Sequence, residues 1–261
     1  MADKTIERDT ISFLDVNVDV VDTKGLCDRI VSFAHMGEKR QVMYVNTDCM
    51  LLSRKNETYR QVLNRCDLVY ADGVGVVWGA RLWGHNLPGR STGADFLLEF
   101  CEVFAKNGLR VFLLGAKDPV AKEAAAKLSE KVAGLQIVGT HHGYFTQEDT
   151  QTVIDAVNAV QPHIIIVGMG APYQEIWMDT NRDKFDAPVL WGVGGLFDFI
   201  SGRTKRGPQW LLDNGLEWLC RLVVEPGRLW RRYLLGNTKF VLYLLWSRYI
   251  TREFSLSNKK K

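Results

Sequence analysis

The sequence predicts an α/β protein: a Rossmann-like, mostly parallel sheet with helices on both faces, followed by a C-terminal helical appendage that is both basic and apolar. Three observations carry this. Short apolar runs alternate with helix-length amphipathic stretches along the first 200 residues. The apolar runs, such as HIIIVGMG, show no polar alternation, which suits strands buried on both faces. Beyond about residue 200 the strand pattern stops and Trp, Leu and Arg interleave.

Strands are expected at Val42–Val45, Leu68–Ala71, Arg110–Leu114, Gln136–Gly139, Ile164–Val167 and Val189–Val193. Helices are expected at 47–66, 92–107, 119–133, 147–161 and 172–185, each with apolar spacing near 3.6, and a further one at Val74–Trp83. In PVAKEAAAKLSEKVAG, Pro119 fits a first-turn position and Gly134 a C-terminal stop. Repeated βα units place ligands beyond the carboxyl ends of the strands. Those ends read Asn46-Thr47-Asp48, Asp72-Gly73, Gly115-Ala116-Lys117-Asp118, Gly168-Met169-Gly170 and Gly192-Val193-Gly194-Gly195. Polar groups and glycines therefore gather where this fold builds a site.

The 261-residue chain, 46% hydrophobic, divides by this pattern into an α/β catalytic domain, 1–200, and a helical appendage, 201–261. The formal charge of +3 hides an asymmetry: residues 201–261 carry thirteen Lys/Arg against four Asp/Glu, leaving the first 200 net acidic. A basic segment of this kind meets an anionic partner, whether lipid, nucleic acid or phosphorylated substrate. Apolar residues at 240, 241, 244, 245 and 249 share one helical face flanked by Arg248 and Arg252, the pattern of an interfacial helix on an anionic membrane. The competing reading is a helical hairpin packed on the sheet with solvated arginines. No run approaches the roughly 20 apolar residues of a membrane span; the longest, Phe240–Trp246, has seven. The tail is too apolar for a nucleic-acid module, so no nucleic acid is expected, whereas self-association into a homo-oligomer is left open. Five scattered cysteines without a C-x-x-C pair fit reduced thiols in a cytoplasmic setting.

Cofactor and metal signatures are missing. The glycine stretches at Gly73-x-Gly75 and Gly192–Gly195 lack the dinucleotide spacing, and no Walker A sequence occurs. There is no H-E-x-x-H, no cysteine cluster and no Asp-x-Asp among eighteen aspartates, so neither a metal nor a cofactor is expected. A G-x-S-x-G elbow is absent as well.

Three positions then compete between local and chemical roles. Asp72 is either the N-cap of the following helix or a general base at a strand's carboxyl end, and one residue can do both. Gln174, with Glu175, is either an ordinary first-turn residue or an amide that hydrogen-bonds a base or sugar at a helix N-terminus. Arg90, in PGRSTGADF, either binds phosphate or occupies a loop before the helix cap.

Taken together these residues resemble the WecG/TagA/CpsF glycosyltransferase family. The matching elements, in order from about residue 40 to 235, are Asn46 with Asp48; Tyr70-Ala71-Asp72-Gly73-Val74-Gly75; Arg90-x-x-Gly93; Val111-Phe112-Leu113-Leu114-Gly115; Gly143-Tyr144-Phe145; Gly170-Ala171-Pro172-Tyr173-Gln174-Glu175-x-Trp177; Gly192-Val193-Gly194-Gly195-x-Phe197-Asp198; and Gly215-Leu216-Glu217-Trp218-x-x-Arg221. The resemblance implies an inverting, metal-independent enzyme. It would move a hexose or N-acetylmannosamine-type sugar from a UDP-sugar donor to a polyprenyl-diphosphate-linked sugar acceptor. Its place would be the cytoplasmic face of the cell membrane, as a peripheral enzyme of cell-surface polysaccharide, teichoic acid or exopolysaccharide synthesis. It further implies Asp72 as the base, Asn46 and Gln174 as donor or acceptor contacts, and Arg90 at the diphosphate. Arg221, Arg228 and Arg231 match the arginines of a membrane-binding appendage that closes over the site. Two departures stand out. Family members often carry Thr two residues before the Asn, where this chain has Tyr44; a hydroxyl is kept on a longer aromatic, which makes Tyr44 a substrate-pocket residue and implies a pocket of different size. The usual Arg-Ala-Pro reads Arg206-Gly207-Pro208. The alternatives from other classes are a nucleotide-dependent oxidoreductase and a nucleic-acid-binding module.

Overall fold

A computed structural model of the chain describes residues 8–89, 91–204, 207–208, 211, 217–224, 227 and 230–258, with the backbone alone at 94, 217, 221, 224, 231–233 and 249–258. Six parallel strands form its main sheet: β3 (Arg40–Val45), β4 (Leu68–Ala71), β5 (Arg110–Gly115), β6 (Gln136–His141), β7 (Ile164–Gly168) and β8 (Val189–Gly192), in the order β4-β3-β8-β7-β5-β6. Each coincides with one of the apolar runs. β4, β7 and β8 are buried at every residue, as strands covered on both faces must be. The sheet is wholly parallel, and its order places β3 beside β8, neighbours that arrive from opposite ends of the chain.

Helices α1 (Thr23–Met36), α5 (Gly93–Lys106), α6 (Val120–Lys131) and α9 (Leu196–Ile200) pack against one another as one layer. Helices α2 (Thr47–Lys55), α3 (Glu57–Arg65) and α8 (Tyr173–Asn181) form the other. The remaining helices of the domain are α4 (Val74–Leu82) and α7 (Thr150–Ala159). On α5 the i, i+4, i+8 stripe Phe96, Phe100 and Phe104 meets the fully buried Trp191 of β8, with ring centroids 6.1, 5.8 and 6.5 Å away. Such a cluster anchors a helix to a strand through both area and ring geometry.

Two local features depart from the sequence pattern. The single helix expected over 47–66 is two, because Asn56 turns its backbone to the β region and uses its side chain to accept from the Tyr59 N–H. An amide side chain that competes for backbone donors starts a new helix more readily than it continues an old one. Ahead of β3 lies an antiparallel hairpin, β1 (Thr10–Phe13) with β2 (Val16–Asp19), outside the strand set read from sequence. Its turn uses Leu14 and Asp15 at positive φ, without the Asn-Gly or Asp-Gly signal that marks such turns. The hairpin protects the β4 edge. Asp19, its side chain fully buried, accepts the Val69 N–H at 2.7 Å while Arg8 and Arg29 neutralise it at 2.8 and 3.1 Å.

After α9 the chain forms α10 (Glu217–Val224), a π-helical stretch at Arg231–Gly236 and α11 (Asn237–Asn258). The helix-face expectation divides here. Phe240 and Leu244 join the main core, and a Cβ on Gly79 of α4 would meet the Leu244 side chain at 3.1 Å. Val241, Leu242, Leu245 and Trp246 remain exposed. One stripe of α11 therefore docks it on the domain, and the adjacent stripe is left to solvent.

At the carboxyl edge the strands are spaced by glycines. Gly115 has φ +149, and a Cβ there would lie 2.3 Å from the Gly168 carbonyl oxygen, a backbone atom with nowhere to go. Gly115→Ala is expected to lower stability by roughly 3 kcal/mol, read as a fall in the thermal unfolding midpoint; an unchanged midpoint would contradict this account of the edge.

Candidate active site

The carboxyl ends of all six strands converge on one cleft of about 1210 Å³. Backbone hydrogen bonds sew its floor together. Val193 N–H donates to Val167 O at 2.8 Å, Ala116 N–H to Gly168 O at 2.9 Å, and Gly143 N–H to Ala116 O at 2.8 Å. On the other side, Asp72 N–H donates to Val45 O at 2.8 Å and Ser91 N–H to Ala71 O at 2.9 Å. Helices α2, α4, α5 and α8, each of nine or more residues, begin at this cleft. Their N–H ends and dipoles point positive charge at the cleft, whose described lining holds no Lys or Arg and three carboxylates, Asp48, Asp72 and Asp198.

Its two sides differ in character. One is built from the glycine loops after β5, β6, β7 and β8, with Tyr144 and Tyr173 exposed at the rim. The other is apolar: Trp78, Gly79 and Leu82 of α4 face Phe240, Val241 and Leu244 of α11. Trp78 is 62% exposed, high for a tryptophan in a folded domain.

Asp72 lies on the cleft wall, half-buried, two residues before α4. The N-cap position itself falls on Gly73, at φ 99 and ψ 148, so α4 begins one residue later than a cap at Asp72 requires. Gly75 lets the start of α4 approach α2, where any Cβ would meet the Thr47 methyl at 2.3 Å. Beneath Asp72, the buried Tyr70 phenol accepts from the Trp191 indole N–H at 3.3 Å. Burial, and secondarily the Asp72 carboxyl, push that phenol well above the usual tyrosine range, so it stays neutral beside the acid.

The other expected site residues are only partly brought together. Tyr44, on β3, lines the cleft with its hydroxyl against Gly194, where a Cβ would come within 2.4 Å. Asn46 lines it too, but its carbonyl oxygen caps α2 by accepting from Asp48 N–H and Cys49 N–H at 3.0 and 3.1 Å. Only its amide N–H₂ is left to meet a ligand. Gln174 lies behind the wall, fully buried: its Oε1 accepts from Gly170 N–H at 3.2 Å and Gly194 N–H at 3.0 Å, and its Nε2 donates to Glu175 Oε1 at 2.8 Å. Arg90 and Arg228 lie outside the described residues, and Arg221 and Arg231 are described by backbone alone. Asp48 and Asp198 also line the cleft, yet no cluster of three potential metal ligands occurs among the described residues.

A model of the glycosyl transferase WecG/TagA/CpsF family matches residues 11–253. The chain belongs to this family. Among curated relatives is the N-acetylglucosaminyldiphosphoundecaprenol N-acetyl-beta-D-mannosaminyltransferase of Bacillus subtilis (strain 168), 34% identical over 201 residues that cover 77% of each chain. The protein is thus a glycosyltransferase.

Glu175 carries a stability consequence. Burial pushes its carboxyl up to about 7 from an ordinary 4.5, and its Oε2 has no partner among the described residues. Because the folded chain holds this proton more tightly than the unfolded one, the cost of ionising it is absent below about pH 4.5, grows through the interval and is complete above about 7. Glu175→Gln is therefore expected to leave stability nearly unchanged at about pH 4 and to raise it by roughly 3 kcal/mol at about pH 8. Chemical denaturation at the two pH values checks this; an equal effect at both would contradict it.

Proposed function

We propose that this glycosyltransferase moves an N-acetylmannosamine-type sugar or a hexose from a UDP-sugar to a polyprenyl-diphosphate-linked sugar, with inversion and with Asp72 as general base. One observation carries the reading: the half-buried Asp72 carboxylate stands on the cleft wall at the carboxyl end of β4, between glycine loops on one side and an apolar helix pair on the other. Inverting transfer is one in-line displacement, in which one base takes the acceptor hydroxyl proton while the diphosphate departs from the opposite face. The developing charge on the diphosphate suits backbone N–H groups at the helix starts, joined by arginine. We assign that part to Arg90, Arg221, Arg228 and Arg231, whose forked guanidinium groups match phosphate oxygens. The rim tyrosines, Tyr144 and Tyr173, offer flat faces to a uracil ring, and Tyr44 with the Asn46 amide bounds the sugar pocket.

The acceptor assignment draws on the Bacillus subtilis relative, whose name specifies an N-acetylglucosaminyldiphosphoundecaprenol substrate. It also draws on the apolar wall, which continues outward into the exposed Val241, Leu242, Leu245 and Trp246. We take residues 201–261 as a peripheral membrane-associating appendage on the cytoplasmic face, bringing the cleft to the lipid-linked acceptor. No described helix is long and apolar enough to cross a membrane.

Two measurements test the two halves. Asp72→Asn is expected to keep the wild-type unfolding midpoint and to lose at least about 100-fold in kcat for transfer to a polyprenyl-diphosphate-sugar; near-normal turnover would remove Asp72 from the base role. Leu242→Glu with Trp246→Glu, in the full chain, is expected to abolish co-sedimentation with anionic phospholipid vesicles while leaving donor binding intact. Undiminished sedimentation would overturn the membrane assignment of α11.

A further inference from the structure

We propose that Glu175 is a positioning residue, which acts through Gln174 to hold the two glycine loops of the cleft in register. The inference rests on the proposed transferase reading only for its kinetic consequence; its structural part stands on the geometry alone.

The Gln174 side chain bridges two loops. Its Oε1 accepts the N–H of Gly170, after β7, and the N–H of Gly194, after β8, at 3.2 and 3.0 Å. Both glycines have positive φ, +84 and +59, so neither loop can relax into a strand-like path without moving its N–H. The loops also touch: a Cβ on Gly168 would meet the Gly194 carbonyl oxygen at 2.9 Å. A primary amide is nearly symmetric in shape, and it can rotate so that N–H₂ replaces oxygen. Rotated in this way, Gln174 would confront two backbone donors with donors of its own, and both loops would lose their acceptor. What prevents this is on the opposite side of the amide. Glu175 Oε1 takes the Nε2–H at 2.8 Å, and as long as that oxygen carries no proton only N–H₂ can serve the contact.

The Glu175 carboxyl is fully buried at the start of α8, and its Oε2 meets no partner among the described residues. A buried acid with one idle oxygen is costly to keep, and a leucine of similar size would fill the space without that cost. The contact it does make, Oε1 to the Gln174 amide, is available in both the ionised and the neutral form, provided the proton sits on Oε2. The acid's one described side-chain partner is thus the residue that sets the two loops.

The test uses the full chain and three forms: wild type, Glu175→Leu and Glu175→Gln. Hydrogen exchange followed by mass spectrometry reads the segments around Gly170 and Gly194, and steady-state transfer reads kcat and KM for a UDP-sugar. Glu175→Leu is expected to keep or raise the unfolding midpoint, to speed exchange in both segments by about tenfold or more, and to lower kcat/KM by a similar factor. Glu175→Gln, which still offers a carbonyl to the Gln174 amide, is expected to restore both. Unchanged exchange in Glu175→Leu overturns the proposal, as does an activity loss that follows a lowered midpoint and is not rescued by Gln. If wild type shows no transfer at all, the proposed substrate is wrong, and the exchange result still decides the positioning role.

Discussion

The structure depends on how closely the strand ends approach one another at the carboxyl edge of the sheet. Gly115 lies against the Gly168 carbonyl, Gly168 against that of Gly194, and Gly194 against the Tyr44 hydroxyl, each too near for a side chain. This crowding lets backbone bonds pass from loop to loop and makes backbone, rather than side chains, the floor of the cleft beneath its lining of aromatic, apolar and acidic residues. A parallel sheet with long side chains at its edge would fill the same space with atoms that move. Here the floor is backbone, fixed by the strands beneath it and by the Gln174 bridge.

Chemistry follows from that rigidity. A leaving diphosphate spreads charge over several oxygens, and preorganised N–H dipoles stabilise it without reorganising during the reaction. As the proposed base, the acid on the opposite wall needs the reverse: partial exposure, so that an acceptor hydroxyl can reach it. Asp72 meets this because its own N–H is tied to Val45 while Gly73, at φ 99, turns the chain away into α4. The α4 helix then presents Trp78 and Leu82 beside α11, so polar and apolar requirements fall on adjacent turns of one element. A lipid-linked sugar has the same order of parts.

Much of this was legible in the residues. The six strands stand out because strands covered on both faces must be apolar throughout, and Asp72 stands out because a lone acid ends one of them. Gln174 shows the limit. A glutamine in the first turn of a helix is as able to face inward as outward, and only the positions of Gly170 and Gly194, far apart in sequence from one another, show that it faces inward. The β1–β2 hairpin escaped notice because Leu14 and Asp15 accept positive φ without the residues that usually announce it. The tail misled in a different way. Its apolar positions form one broad face on a helical wheel, but packing against Gly79 takes only the 240/244 stripe, and no local pattern reveals which stripe finds a glycine to lie on.

The most direct measurement is a crystal structure of the enzyme with an unhydrolysed UDP-sugar analogue. The account predicts the diphosphate over the loops at 168–171 and 192–195, with the anomeric carbon turned so that Asp72 faces the side opposite the leaving oxygen. A nucleotide bound outside the cleft, or a sugar whose anomeric carbon presents the leaving group to Asp72, would contradict it.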